Sequence, residues 1–139
     1  MNIGNIPARN AIQYPDKTAL IFEGERWTWR QLDSRINRLS QALMGLGLGK
    51  GDKVAILTEN VPAIVETNYA CAKAGIVYFP VMSRLFPRDI RHLIDLSDAR
   101  VLIFHPDFRP VVEPMRSELP KVETYIQIGG DTPPWAIAY

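Results

Sequence analysis

The sequence predicts an α/β fold: a largely parallel sheet flanked by helices, with an N-terminal helix–hairpin–helix. Three observations predict it. From residue 54 onward the patterns alternate as strand, helix, strand, helix, strand, helix, strand. The strand runs are short and apolar, as in Val54-Ala55-Ile56-Leu57, which suits strands covered on both faces. Each connection carries a helix, which parallel neighbours require.

The elements follow in chain order. Residues 2–13 read as a short helix with Ile3, Ile6, Ala8, Ala11 and Ile12 as its apolar set. Pro7 lies in its first turns, where proline is best tolerated. Thr18–Phe22 reads as a strand, Gly24-Glu25 as a turn and Arg26–Thr28 as the return strand of a hairpin. Thr28 then opens the clearest helix, with Gln31 three residues on completing a capping box. Trp29, Leu32, Ile36, Leu39, Leu43 and Leu46 recur at spacings of three and four. That periodicity predicts an amphipathic helix, ended by Gly45 and Gly47. After the strand at 54–57, Asn60 is placed to cap a helix near 61–74, with Pro62 in its first turn. This helix is apolar nearly all round, at Ala70, Cys71, Ala72 and Ala74, so it is expected to be buried. Gly75 stops it. A strand at 76–81, a loop at 82–86 and a helix from Pro87 to about Leu96 come next. A strand at 100–104, a helix near 107–118 and a strand near 122–128 complete the series. Residues 129–134 read as loop, continuing into the apolar tail Trp135–Tyr139. The expected organisation is a single subdomain over 1–139. It comprises a lead-in at 1–53, βαβ-type units at 54–128 and a loop and tail at 129–139.

The chain has 139 residues, 47% apolar and 22% charged, with a net charge of +1. That size buries a core without disulfide or metal staples, and the composition excludes disorder, collagen-like repeats and coiled coil. Sixteen basic residues are scattered among fifteen acidic ones, without the basic excess of a nucleic-acid binder. The one cysteine, Cys71, allows neither an intramolecular disulfide nor a cysteine-based metal site, which fits a reducing compartment. Met1–Asn5 lacks a charged start followed by an apolar run, and no stretch approaches the ~18 apolar residues of a membrane span. A soluble cytoplasmic protein is expected.

Few chemical motifs survive inspection. The glycine-rich segment Gly45–Gly51 follows a helix and precedes a strand, the reverse of a phosphate-cradling loop. Met44 and Gly51 also break the P-loop pattern. A helix C-cap and tight turn explains these glycines. His92 and His105 stand in no ligand spacing and read as solvated or structural histidines. Cys71 reads as a small core residue. Arg84, Arg88 and Arg91 open a helix near the carboxyl end of a strand, where open α/β sheets bind ligands. They could hold a phosphate, but a solvated face paired with Asp95 and Asp98 explains the row better. No Gly-x-Ser-x-Gly elbow and no Ser/His/Asp set is present. A dinucleotide-binding oxidoreductase needs glycines just after a strand, and Leu57-Thr58-Glu59-Asn60 has none.

An ordered series of segments carries more information. Pro15-Asp16-Lys17-Thr18-Ala19-Leu20 precedes Trp27-Thr28-Trp29-Arg30-Gln31-Leu32 and Asn37-Arg38-Leu39. Ala42-Leu43, Leu46-Gly47 and Lys50-Gly51-Asp52-Lys53-Val54-Ala55-Ile56-Leu57 follow. Asn60, Ala70-Cys71-Ala72-Lys73-Ala74-Gly75 and Pro80-Val81 close the series. In this order and spacing, residues 3–128 resemble the N-terminal region of the adenylate-forming (AMP-forming) acyl-CoA synthetase family. Its members include aryl- and fatty-acyl-CoA ligases, luciferases and peptide-synthetase adenylation domains.

The resemblance implies part of the large N-terminal domain of a two-step ligase. A carboxylic or fatty acid attacks the ATP α-phosphate with Mg²⁺ assisting, and a thiol, usually that of CoA, then displaces AMP. The family's Ser/Thr/Gly-rich loop would begin just beyond Tyr139, and its later catalytic motifs are not in this chain. The resemblance therefore implies a fragment, inactive by itself, whose apolar tail leads into further structure. No catalytic residue is carried over, and no ATP or metal is expected on this chain alone. By analogy Ser83, Arg84 and Arg109 border the CoA entrance. Two departures fall there: Met82 replaces the family's Asn after Pro-x, and Phe86-Pro87 lacks the usual capping hydroxyl. The alternative is a free-standing, non-catalytic homologue acting as a binding module. An apolar face left exposed offers a route to a homo-oligomer.

Overall fold

The computed structural model describes residues 2–139. Met1, where the search for a leader begins, lies outside them. The residues group into two compact units. One runs to Gly51 and includes Val61–Val77; the other comprises Asp52–Asn60 and Tyr78–Tyr139.

The first unit holds α1 (Asn5–Gln13), β1 (Thr18–Phe22), β2 (Glu25–Thr28), α2 (Trp29–Gly45) and α3 (Pro62–Ala74). The capping box is present in full: Thr28 Oγ1 accepts from the Gln31 N–H, and the Gln31 side chain accepts from the Thr28 N–H. Leu32, Ile36 and Leu43 form the buried stripe of α2, as the periodicity predicts. Trp29 and Leu39 are only half-buried and Ser40 joins the stripe. The hairpin turn lies one residue earlier than expected, at Glu23-Gly24, both with positive φ (49° and 85°). A two-residue turn with left-handed geometry at both centres matches the twist of the strands it joins, which leaves Glu25 in β2.

Two further expectations for this unit are corrected. The first helix buries Gly4 and Pro7, while Ile12 is 82% exposed and Ile3 is also exposed. Contact is made through missing bulk: a Cβ on Gly4 would lie 2.7 Å from the Lys73 nitrogen. Asn60 does not cap α3. Val61 occupies the N-cap in extended backbone, as a residue before proline prefers, and no side chain caps it. Along α3 the buried residues are Ala63, Glu66, Thr67, Ala70 and Cys71. An acid thus sits on the buried stripe, held by a two-pronged hydrogen bond from Arg35 of α2. Lys73 adds a second link between these helices, reaching Asp33 and Asn37 of α2 at 2.6 Å each.

The second unit is built on a sheet of β3 (Lys53–Leu57), β4 (Val77–Val81), β5 (Val101–Phe104), β6 (Thr124–Gln127) and β7 (Ile137–Ala138). The strand order is β4-β3-β5-β6-β7, and the sheet is parallel, as expected. Pro80 lies in β4, where an edge strand tolerates its missing N–H. The core gathers Ala55 and Leu57 of β3, Leu102 and Phe104 of β5, and Ile90 and Ile94 of α4 (Pro87–Ser97). At the amino ends of the strands, Arg100 bonds Asp52 at 2.9 Å and Glu123 at 2.8 Å. The hydrogen bond from Arg100 holds the Glu123 carboxyl below its ordinary range.

Two segments here differ from expectation. Residues 107–118 are not one helix. A 3₁₀ turn at Pro106–Phe108, α5 (Arg109–Met115) and a second 3₁₀ turn at Arg116–Glu118 share the span. Pro106 and Pro110 each open a new turn, a position that tolerates a missing N–H, and Pro114 removes one donor within α5. The apolar tail is also ordered against the sheet. Ile137–Ala138 pairs in parallel with Ile126–Gln127. The Trp135 ring stacks on Phe104 at 5.5 Å and meets Tyr125 edge-on at 5.7 Å. The Arg116 guanidinium lies 4.3 Å from the Trp135 ring centre, and the indole N–H donates to Glu113.

Candidate functional site

The strand order reverses beside β3. The chain steps outward from β3 to β4, then returns to place β5 on the other flank of β3. In open parallel sheets such a reversal leaves a crevice outside the carboxyl ends of the strands, where ligands bind. The second unit sets three polar loops along this edge. Thr58, Glu59 and Asn60 follow β3, Ser83 and Arg84 follow β4, and His105, Asp107 and Arg109 follow β5.

The three residues picked out by resemblance differ in how free they are. The Ser83 hydroxyl donates to Glu59 Oε1 at 3.0 Å. Arg109 opens α5, and its Nε lies 3.6 Å from Glu113 Oε2, one helical turn on. Arg84 is exposed and makes no hydrogen bond or ion pair among the described residues. Ser83 and Arg84 share one loop, and neither makes a polar contact with Arg109.

Two residues here escaped the sequence reading. Glu59 holds Ser83 across the edge. Thr58 is 8% exposed, and its Oγ1 has no partner among the described residues. The available signal was a polar Thr-Glu-Asn run directly after an apolar strand, at the edge where ligands gather.

The remaining chemical candidates settle into structural roles. Gly47 and Gly51 take positive φ (83° and 90°), and the Leu48 and Gly47 N–H groups bond back to Leu43 and Met44. That is the predicted helix stop. His105 accepts from the Asp107 N–H and caps the first 3₁₀ turn, while His92 is exposed on α4. The arginine row is not paired as expected. Arg91 meets Glu118 at 3.4 Å and Arg88 meets its neighbour Asp89 at 3.4 Å. Asp95 and Asp98 turn instead to Lys121. The hydrogen bond and charge of Lys121 hold the Asp98 carboxyl below its ordinary range.

Cys71 is fully buried in α3, and burial pushes its thiol up to about 12. A thiolate is the reactive form, so Cys71 is expected to resist a disulfide reagent such as dithionitrobenzoate at pH 8. It should react only after denaturant is added, giving one equivalent of released thiol. Rapid labelling of the folded chain would contradict its burial.

No group of three or more His, Cys, Asp or Glu side chains able to hold a metal is found among the described residues. No helix of the described residues is long and apolar enough to cross a membrane.

Residues 7–137 match the family model described as AMP-binding enzyme. The chain is 34% identical over 125 residues to the fatty acid–[acyl-carrier-protein] ligase ScoC of Streptomyces coeruleorubidus, covering 90% of this chain and 24% of that protein. It is 37% identical over 110 residues to a feruloyl-CoA synthase of an Amycolatopsis species, covering 79% and 22%. Among solved structures, the anthranilate CoA ligase AuaEII in complex with anthranoyl-AMP superposes with a TM-score of 0.94. The identity there is 30%, over 99% of this chain and 26% of that one. The chain spans about a quarter of the length of the curated relatives it matches. These relatives carry the names of ligases and synthetases and lend no support to a non-catalytic binding module.

Proposed function

Because this chain belongs to the AMP-binding enzyme family, we propose that it forms the N-terminal part of the large domain of a cytoplasmic, ATP-dependent acid–thiol ligase. The continuous match from residue 7 to residue 137 carries this reading. The reaction joins a carboxylic acid, long-chain fatty acids among the candidates, to CoA in two displacements. A carboxylate oxygen attacks the ATP α-phosphorus and pyrophosphate leaves. The CoA thiol, giving up its proton, then attacks the acyl carbon and AMP leaves. Mg²⁺ arriving with ATP would supply charge neutralisation at the phosphates.

This chain's own part is to border the CoA entrance through Ser83, Arg84 and Arg109. Their placement at the carboxyl edge of the sheet, Ser83 and Arg84 on a loop and Arg109 at the start of α5, supports this reading. Arg84 is the strongest of the three, because its planar fork is uncommitted and suited to a phosphate. Arg109 already shares its charge with Glu113, and the Ser83 hydroxyl is occupied by Glu59.

The test uses the complete gene product. An acid-dependent exchange of pyrophosphate into ATP is expected, followed by CoA-dependent release of AMP. Failure of every acid in a panel of aryl, short-, medium- and long-chain carboxylates would overturn the reading. Arg84→Ala should raise KM for CoA about fivefold, the worth of an exposed charge contact of about 1 kcal/mol. KM for ATP should not move.

A further inference from the structure

The geometry points to Glu59 as a positioning residue for the thiol substrate: its carboxylate pins the loop that presents Arg84. This rests on the reading of Ser83 and Arg84 as the border of the CoA entrance.

The side chains of the loop from Met82 to Phe86 tie it down at two places, and the Phe86 carbonyl accepts from the Asp89 and Ile90 N–H groups of α4. Leu85 packs against the core of the second unit. Ser83 donates to Glu59 Oε1 at 3.0 Å, the one side-chain hydrogen bond of this loop among the described residues. Arg84 lies between these anchors, exposed and without an ion pair among the described residues. At the two ends of the loop, Met82 and Phe86 are 65% and 74% exposed, so their side chains add little restraint. Phe86 brings no side-chain cap to α4 either. The hydrogen bond from Ser83 therefore holds the half of the loop that Leu85 does not.

Glu59 is an acid near a site proposed for a polyanion, which makes its role testable by sign. By charge alone, removing it should help CoA bind. As a positioning residue, its removal should harm CoA binding, because Arg84 then samples directions that miss the phosphate. The glutamate is engaged by Ser83 and not by Arg84, so the arginine keeps its charge available. An acceptor on residue 59 is needed; a charge there is not.

The experiment compares steady-state constants of the complete gene product and its variants. Glu59→Ala is expected to raise KM for CoA roughly three- to fivefold, the scale of one lost hydrogen bond. The kcat and KM for ATP should be unchanged. Glu59→Gln, whose amide oxygen still accepts from Ser83, should restore most of the loss. Ser83→Ala should match Glu59→Ala, and the double variant should be no worse than either. A lower KM for CoA in Glu59→Ala would overturn the inference, as would a Glu59→Gln variant no better than Glu59→Ala. If Arg84→Ala raises KM for CoA while Glu59→Ala does not, the positioning role falls and the CoA entrance stands. If neither variant moves it, both fall.

Discussion

Phe104→Ala is expected to cost about 3–5 kcal/mol of stability, the largest effect of any single truncation considered. Phe104 ends β5, the middle strand of five, and has no exposed surface. The side chains around it belong to the same core: Ala55 and Leu57 of β3, Leu102 of its own strand, and Tyr125 of β6. A close-packed site bounded by strands on both flanks collapses poorly, so the cavity persists and adds to the lost transfer energy. The stacked Trp135 contributes a second loss, about 0.5–1.5 kcal/mol for an aromatic pair. Trp135→Ala should cost less, about 1–2 kcal/mol, because the indole is only half-buried. Urea unfolding followed by circular dichroism measures both. The near-ultraviolet signal of Trp135 should weaken in Phe104→Ala, since its stacking partner is gone. A loss below about 1.5 kcal/mol would mean that the core closes over the missing ring.

The tail that Trp135 anchors shows where sequence reading stops. Ile137–Ala138 is too short to announce itself as a strand, and only the register on β6 makes it one. Trp135 finds Phe104 31 positions back along the chain, a contact no local pattern encodes. Where signals are local, they were legible. Thr28 and Gln31 specify a helix start within four residues, and both hydrogen bonds form. The apolar strands 54–57 and 101–104 declared a sheet covered on two faces, and both are wholly buried apart from Lys53 at the start of β3. Gly4 was missed for a different reason. Periodicity counts the side chains that are present, and α1 docks where one is absent. At the candidate site, Ser83, Arg84 and Arg109 came from resemblance, while Glu59 required the distance between two loops.

Glu66 is the instructive intermediate. It occupies the same stripe as Ala63, Thr67, Ala70 and Cys71, so its burial could have been read from the spacing of α3. Its partner could not, because Arg35 lies 31 residues upstream on α2. The Glu66 side chain is 2% exposed and that of Arg35 41%. Arg35 Nε and Nη2 donate to the two carboxylate oxygens, the second at 3.2 Å, in the planar fork that suits a carboxylate. Arg35→Ala removes that fork and leaves the carboxylate in a buried place. Breaking a fully buried pair in this way costs about 3–5 kcal/mol. With Arg35 partly in water, a loss of about 2–4 kcal/mol is expected. Arg35→Lys should recover only part of it, since one ammonium cannot reproduce two parallel N–H donors. The double variant Arg35→Leu/Glu66→Leu should be more stable than Arg35→Ala, because it removes the buried carboxylate along with the arginine. Urea unfolding of the three variants separates two accounts of the pair. A double variant as unstable as Arg35→Ala would show that the ion pair itself stabilises the packing of α2 on α3. Recovery toward the parent would show that the pair only offsets the cost of burying Glu66, and that the apolar stripes of Leu32, Ile36 and Leu43 against Ala63, Ala70 and Cys71 hold the two helices together.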